Sequence, residues 1–124
     1  MNITTIVQFI TAKNASTLFA LILANMLFNV LANSSFKFSA GSATVFQFIA
    51  WQVIGNLAGF ITVITLTGML KSVPLSIAFP LTSGLAIIGV QVLGAIILFH
   101  EPISLEKWIG TLLIIFGIIL IGGK

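Results

Sequence analysis

The sequence is poor in charged residues and has no cysteine. It contains five lysines, two glutamates and one histidine, and charged residues make up only 6% of the chain. Soluble domains carry about 25% charged residues, so this composition excludes a water-soluble globular surface. The lack of cysteine excludes disulfides and thiolate metal sites. The few cations form no basic stripe of the kind that nucleic-acid binding requires.

Long hydrophobic runs are present instead, and 59% of the residues are hydrophobic. A transmembrane helix needs about 20 mostly apolar residues, and the sequence predicts four such spans, at Ser16–Phe36, Thr44–Leu70, Pro74–Phe99 and Leu105–Gly122. Polar breaks at Phe38–Ser42, Lys71–Pro74 and His100–Ser104 separate them, and Ser104 is a suitable N-cap for the fourth helix. We therefore predict an all-α integral membrane protein, a four-transmembrane-helix bundle in a domain at 16–124.

The segment at 1–15 is mixed in composition. Ile3, Ile6, Val7 and Ile10 share one helical face, which predicts a short interfacial helix lying on the membrane. A frayed N-terminal tail is the alternative. Three asparagines interrupt the first apolar run, which argues against a cleaved signal sequence.

The distribution of lysines bears on membrane orientation. Four spans put both termini on one side, together with Lys13, Lys71 and Lys124, and leave Lys37 and Lys107 on the other side. Because cytoplasmic loops carry an excess of Lys and Arg, this weak bias favours cytoplasmic termini. A population inserted in both orientations is physically compatible with so small a difference.

A stripe of polar residues runs along the first predicted helix. Asn25, Asn29, Asn33 and Lys37 are spaced four apart, so they lie on one slowly drifting face. Polar side chains are costly in lipid and usually face a bundle interior. The stripe indicates the polar wall of a cavity or path, or interhelical hydrogen bonds worth about 0.6–2 kcal/mol each. The two interpretations are not exclusive.

Polar and small residues in the other predicted helices suggest further roles. Gln52 and Asn56 repeat the four-residue spacing in the second helix. Pro80 removes a backbone hydrogen bond within the third helix and favours a kink there. Gly110 and Gly117 share one face of the fourth helix, which predicts close packing of backbones within the chain or across a dimer.

Residues that could carry chemistry are few and scattered. His100 and Glu101 lie in a loop without a second histidine or a cluster of acids, so a solvated turn is favoured over a metal site. No nucleophile–base pair, phosphate-binding glycine loop or metal-ligand spacing occurs, and we expect no enzyme activity, metal or cofactor. Both acids, Glu101 and Glu106, lie around the last loop, whereas a proton–cation exchanger usually needs a carboxylate within the membrane.

Several motifs resemble those of the drug/metabolite transporter superfamily (EamA-like), in its four-helix small multidrug resistance type. In order, they are Lys37 closing the first span, Val73–Pro80 opening the third, His100–Ser104 before the fourth and Ile109–Ile118 within it. The resemblance covers about Leu18 to Gly122. It implies a homodimer, or a heterodimer with a similar small subunit, commonly antiparallel, with a substrate site between the first three helices of two chains. It also implies dimer packing through Gly110 and Gly117.

The resemblance breaks at one position. Drug- and guanidinium-exporting members carry a glutamate eight residues before the lysine, and counting back from Lys37 gives Asn29. The segment His100–Ser104, with Trp108 and Gly110 after it, is more similar to the lipid branch, which includes paired small subunits that flip aminoarabinose-linked undecaprenyl phosphate. This implies an amphipathic lipid-linked sugar or phosphate as substrate, with Lys37 meeting an anionic head group.

The leading hypothesis is a small transporter or flippase subunit, multi-pass in the cell's inner membrane. One alternative is a proton-coupled exporter of small cations that relies on the carboxylate of a partner subunit. The other is a non-transporting structural subunit of a membrane complex. The expected partners are the lipid bilayer and a second small subunit, and no nucleic acid. The candidate substrate-binding residues are Asn25, Asn29, Asn33, Lys37, Gln52, Asn56 and Ser83.

Overall fold

Four long helices dominate the computed structural model, which describes residues 2–4 and 15–122. They are α1 (Ala15–Ala40), α2 (Val45–Met69), α3 (Leu75–Leu98, of which Val90–Leu98 is π-helical) and α4 (Leu105–Gly122). Each is long and apolar enough to cross a membrane, and a helix satisfies its backbone polar groups internally, as lipid requires. The predicted all-α membrane protein with four transmembrane helices is confirmed.

The expectations for 1–15 fall largely outside the residues that the structure describes. Ile6, Val7 and Ile10 belong to that undescribed part. The interfacial helix and the frayed tail both stay predictions, as does the division of the chain into 1–15 and 16–124.

Helix α1 is longer than predicted, because it continues to Ala40. Most of the predicted first polar break is therefore helical. The Phe38 ring stacks on Trp51 of α2 with centroids 4.7 Å apart. The buried Ser39 hydroxyl donates a hydrogen bond of 2.8 Å to the carbonyl oxygen of Phe48. These contacts with α2 hold the last turn of α1 in helical form despite its polar sequence.

Hydroxyl groups cap the starts of two helices. Thr44 precedes α2, and its hydroxyl accepts a 3.1 Å hydrogen bond from the backbone N–H of Gln47. Ser104 accepts one of 3.3 Å from the N–H of Lys107, so the predicted N-cap of the fourth helix is confirmed. Pro74 has an extended backbone and stands directly before α3, which begins one residue later than predicted.

Helix α1 packs most extensively against α2 and also contacts α3, whereas α4 packs against α3. Two glycines of α3 permit close approaches. A methyl group added at Gly89 would lie 2.9 Å from Cγ of Met26 in α1, and one added at Gly84 would overlap Ile118 of α4. Helix α3 is thus held between α1 and α4. Large hydrophobic side chains cover the outer surfaces of the helices, as lipid contact requires.

Helix α3 changes geometry along its length. Pro80 lies within the continuous helical stretch, and the kink that we expect at this residue stays a prediction. The departure from α-helical geometry occurs at Val90–Leu98, where for example the N–H of Phe99 donates to the carbonyl of Gly94 at 3.0 Å. Hydrogen bonds between residues five apart define a π-helix, which is rare and is frequently found at functional sites. Here they occur beside the end of α1 that carries Lys37.

Candidate functional site

Asn25 joins α1 to α2. Its side chain is only 3% exposed, and Nδ2 donates to the carbonyl oxygen of Thr62 at 2.9 Å and to Oγ1 of Thr65 at 3.0 Å. Both partners lie on α2, so Asn25 makes interhelical hydrogen bonds, and it also lines the first of the cavities described below.

Asn29 and Asn33 use their amide nitrogens within α1. Asn29 Nδ2 donates to the backbone oxygen of Asn25 at 3.0 Å and to its Oδ1 at 3.1 Å. Asn33 Nδ2 donates to the backbone oxygen of Asn29 at 2.9 Å. A backbone carbonyl can only accept, so these partners fix which amide atom is nitrogen. No donor among the described residues reaches Oδ1 of Asn29 or Asn33, and these oxygens remain available as acceptors.

Three neighbouring cavities follow one another along α1 and α3, and α2 also lines the first of them; together we call them the α1–α3 groove. The first cavity, about 350 Å³, lies beside Asn29. The second, about 340 Å³, shares Ile87 with the first. The third, about 280 Å³, shares Asn33 with the second and ends at Lys37. At 1.5 Å per residue the stretch from Asn25 to Lys37 is about 18 Å long, more than half of the roughly 30 Å hydrocarbon core of a bilayer.

The groove ends at an ion pair beside an aromatic ring. Lys37 Nζ lies 3.2 Å from Oε2 of Glu101, and both side chains are about half exposed. The same Nζ lies 5.9 Å from the centroid of the Phe99 ring, which packs against Phe38 at 4.9 Å. The cation at the mouth of the groove is therefore neutralised by a carboxylate of the same chain.

The position of Glu101 was missed in the sequence, where His100–Ser104 suggested only a solvated turn. The chain turns at His100, whose φ of 54° lies in the left-handed region. The N–H of Glu101 then donates to the carbonyl of Ala95 at 2.7 Å, which holds this residue near the end of α1. The sequence does contain a hint of this contact. The ends of the first and third spans lie on the same side of a four-helix protein, and they carry opposite charges, Lys37 and Glu101.

Two further polar residues of the groove were not predicted. Gln91 lines the middle cavity, its Oε1 accepts a 2.9 Å hydrogen bond from Thr111 of α4, and its Nε2 has no partner among the described residues. Ser34 lines the outer cavity, and its hydroxyl is likewise unpaired within the described part. A lone glutamine in an apolar span was a usable signal, because such side chains are expensive in lipid. Ser83, which was predicted, lines the first cavity.

Gln52 and Asn56 lie on α2, away from the α1–α3 groove. Gln52 Nε2 donates to the Ser39 hydroxyl at 3.2 Å, so this side chain stabilises the packing of the end of α1 against α2. Asn56 is exposed, and its Nδ2 donates to the backbone oxygen of Gln52 at 2.7 Å. Neither residue lines any of the three cavities, and their part in substrate binding stays a prediction.

The two predicted packing glycines of α4 have open space beside them. A methyl group added at Gly110 or Gly117 would meet no atom of the described chain within 4 Å. The described chain therefore offers no packing partner on the Cβ side of these two glycines. Packing across a dimer stays a prediction.

The match to a family decides what kind of protein this is. The family model described as Small Multidrug Resistance protein matches residues 16–114, which include α1 to α3 and the first half of α4. The chain belongs to the Small Multidrug Resistance protein family. The family resemblance of its sequence motifs is thereby confirmed.

Relatives of this Small Multidrug Resistance protein carry a more specific name. A protein described as probable 4-amino-4-deoxy-L-arabinose-phosphoundecaprenol flippase subunit ArnE, from Enterobacter sp. (strain 638), is 49% identical over 55 residues, which is 44% of this chain and 50% of the relative. The protein of the same description from Escherichia coli (strain UTI89) is 44% identical over 54 residues, 44% of this chain and 47% of the relative. The matches span about half the length of these relatives. No solved structure matches the chain.

In this member of the Small Multidrug Resistance family, the wall of the groove is mostly apolar, and its polar groups include amides in every cavity. No Asp or Glu lines the first two cavities, and the third contains Glu101 only at its mouth. No group of three metal-binding side chains occurs within the described residues. The groove can therefore exchange hydrogen bonds with a polar ligand: Asn29 and Asn33 offer free acceptors, and Gln91, Ser34 and Lys37 offer donors.

Proposed function

We propose that this chain is one subunit of a flippase in the cell's inner membrane and moves an amphipathic lipid-linked sugar or phosphate. The observation that carries the proposal is the α1–α3 groove, which leads from the middle of α1 to its charged end. Its wall offers the free amide oxygens of Asn29 and Asn33 and no carboxylate before Glu101.

The acceptors in the groove suit a sugar head group. Moving a hydroxyl from water into an apolar medium without a hydrogen bond costs about 2–7 kcal/mol. A row of amide oxygens reduces that cost at successive steps across the membrane, while the lipid tail stays among the acyl chains. The relatives are named for a cargo with an amino sugar, whose hydroxyl and amino groups are donors that fit these acceptors.

A partner subunit completes this proposal. Helix α4 leaves Gly110 and Gly117 uncovered, and small residues let transmembrane helices approach closely. We infer a dimer with a second copy or with a similar small subunit, which covers α4. The near balance of lysines between the two sides permits the two subunits to be antiparallel.

The test is translocation of a lipid-linked amino sugar in reconstituted vesicles containing the protein, alone and with a candidate partner subunit. Asn29→Leu removes a free acceptor from the groove and is expected to slow translocation about tenfold, since a hydrogen bond contributes about 0.5–1.5 kcal/mol. Gln47→Leu is the matched control, because it makes the same amide-to-leucine change at an exposed site of α2 outside the groove. Equal rates for vesicles with and without protein would contradict the proposal.

Two outcomes would favour the other hypotheses. Proton release on adding a quaternary ammonium or guanidinium compound would support a cation exporter that uses a partner's carboxylate. Loss of dimer assembly in Asn29→Leu, with translocation per assembled dimer unchanged, would support a structural subunit. The exporter has one observation in its favour, because the free oxygens of Asn29 and Asn33 also suit an ammonium ligand.

A further inference from the structure

The outer cavity of the groove combines a cation with a buried hydroxyl that has no partner. It encloses about 280 Å³ and is lined by Ser34, Lys37, Gly94, Phe99 and Glu101 among others. One water takes up about 30 Å³ in the liquid, so the cavity has room for a group the size of a tetrahedral oxyanion.

Ser34 differs from its neighbour in how its hydroxyl is used. Ser35 donates to the carbonyl oxygen of Leu31 at 2.8 Å, which is the usual way for a helical serine to satisfy its hydroxyl. Ser34 is only 7% exposed, and its Oγ has no hydrogen-bond partner in the described chain. A buried polar atom without a partner is unfavourable, so a ligand that accepts a hydrogen bond from this hydroxyl would gain binding energy.

A glycine keeps the space in front of that hydroxyl open. A methyl group added at Gly94 would lie 3.5 Å from Oγ of Ser34 and 3.8 Å from a methyl of Val90. Both distances are ordinary contacts, so an alanine fits there without displacing its neighbours. It would, however, occupy the part of the cavity next to the Ser34 hydroxyl.

The ion pair across the cavity is exchangeable. Lys37 and Glu101 have side chains that are 58% and 44% exposed, and exposed pairs of this kind contribute little to stability. The backbone of Glu101 is held separately by its hydrogen bond to Ala95. Rotation of the Glu101 side chain alone is therefore enough to free the ammonium group for another anion.

We propose that the outer cavity binds the phosphate group of a lipid ester, which displaces Glu101 from Lys37 and accepts a hydrogen bond from Ser34. The carboxylate acts as an internal competitor that keeps the site closed to weaker anions. The proposal rests on the proposed function in taking the phosphate to be that of the lipid-linked cargo.

The polarity of the groove determines which end takes the phosphate. The middle cavity has an unpaired amide donor, Nε2 of Gln91, but the cation Lys37 lies in the outer cavity, beside the unpaired Ser34 hydroxyl. The free oxygen of Asn33 borders both cavities, and it and the free oxygen of Asn29 repel phosphate oxygens. Asn33 and Lys37 are one helical turn apart, about 6 Å along α1. A sugar joined directly to the phosphate therefore reaches the asparagine oxygens while the phosphate stays at the mouth.

The experiment measures binding without translocation. Undecaprenyl phosphate, which carries no sugar, is titrated into the intact protein held in micelles of a maltoside detergent, which contains no phosphate. Glu101→Gln is expected to tighten binding about two- to fivefold, because it removes the competing anion. A misfolded variant cannot imitate a gain in affinity. Glu106→Gln is the matched control: it removes the same charge in the first turn of α4, outside the cavity, and should leave affinity unchanged.

Loss-of-binding variants complete the design. Lys37→Gln and Ser34→Ala are each expected to weaken binding about tenfold or more, since hydrogen bonds to charged groups are strong. Gly94→Ala should have a similar effect, because its methyl group occupies the space in which the phosphate would meet the Ser34 hydroxyl. Gly59→Ala is the control for Gly94→Ala, because its methyl group also meets no obstacle but lies on α2, outside the cavity. Unchanged affinity in Glu101→Gln, or in both Ser34→Ala and Gly94→Ala, would overturn the proposal.

Competition separates the two sources of a phosphate group. Lipid binding that persists in a hundredfold excess of inorganic phosphate supports a lipid ester as the occupant, and displacement by equimolar inorganic phosphate would overturn that assignment. The outcome is independent of transport. If the reconstituted protein translocates no lipid but the cavity variants change binding as expected, the flippase function is refuted and the phosphate site is supported. If the protein translocates lipid but none of the cavity variants changes binding, the flippase function is supported and the phosphate site is refuted.

Discussion

Removing the hydrogen bond between Asn25 and Thr65 tests how far the polar stripe stabilises the packing of α1 against α2. Asn25→Ala removes both bonds from Nδ2 to α2 and also the Oδ1 that accepts from Asn29. Thr65→Val removes the hydroxyl and keeps the shape of the side chain. Both residues are buried, with exposures of 3% and 6%, so water does not replace the lost partners.

The expected loss of stability follows from the number of bonds. Interhelical hydrogen bonds in membrane proteins contribute about 0.6 kcal/mol on average and up to about 1.7 kcal/mol. Two such bonds and the contact with Asn29 predict about 1–3 kcal/mol for Asn25→Ala. For the pair with Thr65, a double-mutant cycle should give a coupling energy of about 0.6–1.7 kcal/mol.

The assay is reversible unfolding in mixed detergent micelles, followed by far-UV circular dichroism. Asn33→Ala provides the comparison, because Asn33 is exposed and donates only to its own helix. Exposed substitutions of this kind usually change stability by no more than about 0.5 kcal/mol. If Asn25→Ala is no more destabilising than Asn33→Ala, or if the coupling energy with Thr65 is zero, Asn25 does not stabilise the packing of α1 against α2.

Three further predictions concern helix packing and capping. Gly84→Ala should lower the free energy of unfolding by about 1–3 kcal/mol, because its methyl group would overlap Ile118. In an Ile118→Ala background this loss should disappear. Gly59→Ala is the control, because its methyl group has open space and should not lower the free energy of unfolding. Gly117→Leu should leave monomer stability unchanged but weaken dimerisation, measured by light scattering in detergent, and an unaltered dimer would contradict the proposed role of α4. Ser104→Ala removes the N-cap of α4 and should cost about 1 kcal/mol in the same unfolding assay; a change below a few tenths would argue against the cap.

The number of helices and their apolar character follow directly from composition, and so they were predictable. The end of α1 was not, because the polar residues around Ser39 look like a loop when considered locally. Their helical form depends on α2, through the stacking on Trp51 and the hydrogen bond to Phe48. A local pattern contains no information about such partners.

The groove was predictable only in part. Periodicity placed Asn25, Asn29 and Asn33 on one face, but the choice of partner separated their roles. Asn25 meets threonines of α2, whereas the two others bond only their own helix. The hydroxyl of Ser34 is unpaired among the described residues and lies near Gly94 of α3, and the local sequence indicates neither. No sequence spacing indicated the π-helical stretch beside it.

The direction of the asparagine amides limits how this groove can evolve. Asn29 donates to two oxygens of Asn25, at 3.0 and 3.1 Å. An ionised aspartate at position 29 would direct an oxygen at both of them and lose the two bonds. The shortest mutational route from an amide to an acid is therefore opposed by the neighbouring turn. A carboxylate at position 29 therefore needs a different side-chain rotamer or a change at Asn25, and the change at Asn25 would also remove its hydrogen bonds to α2.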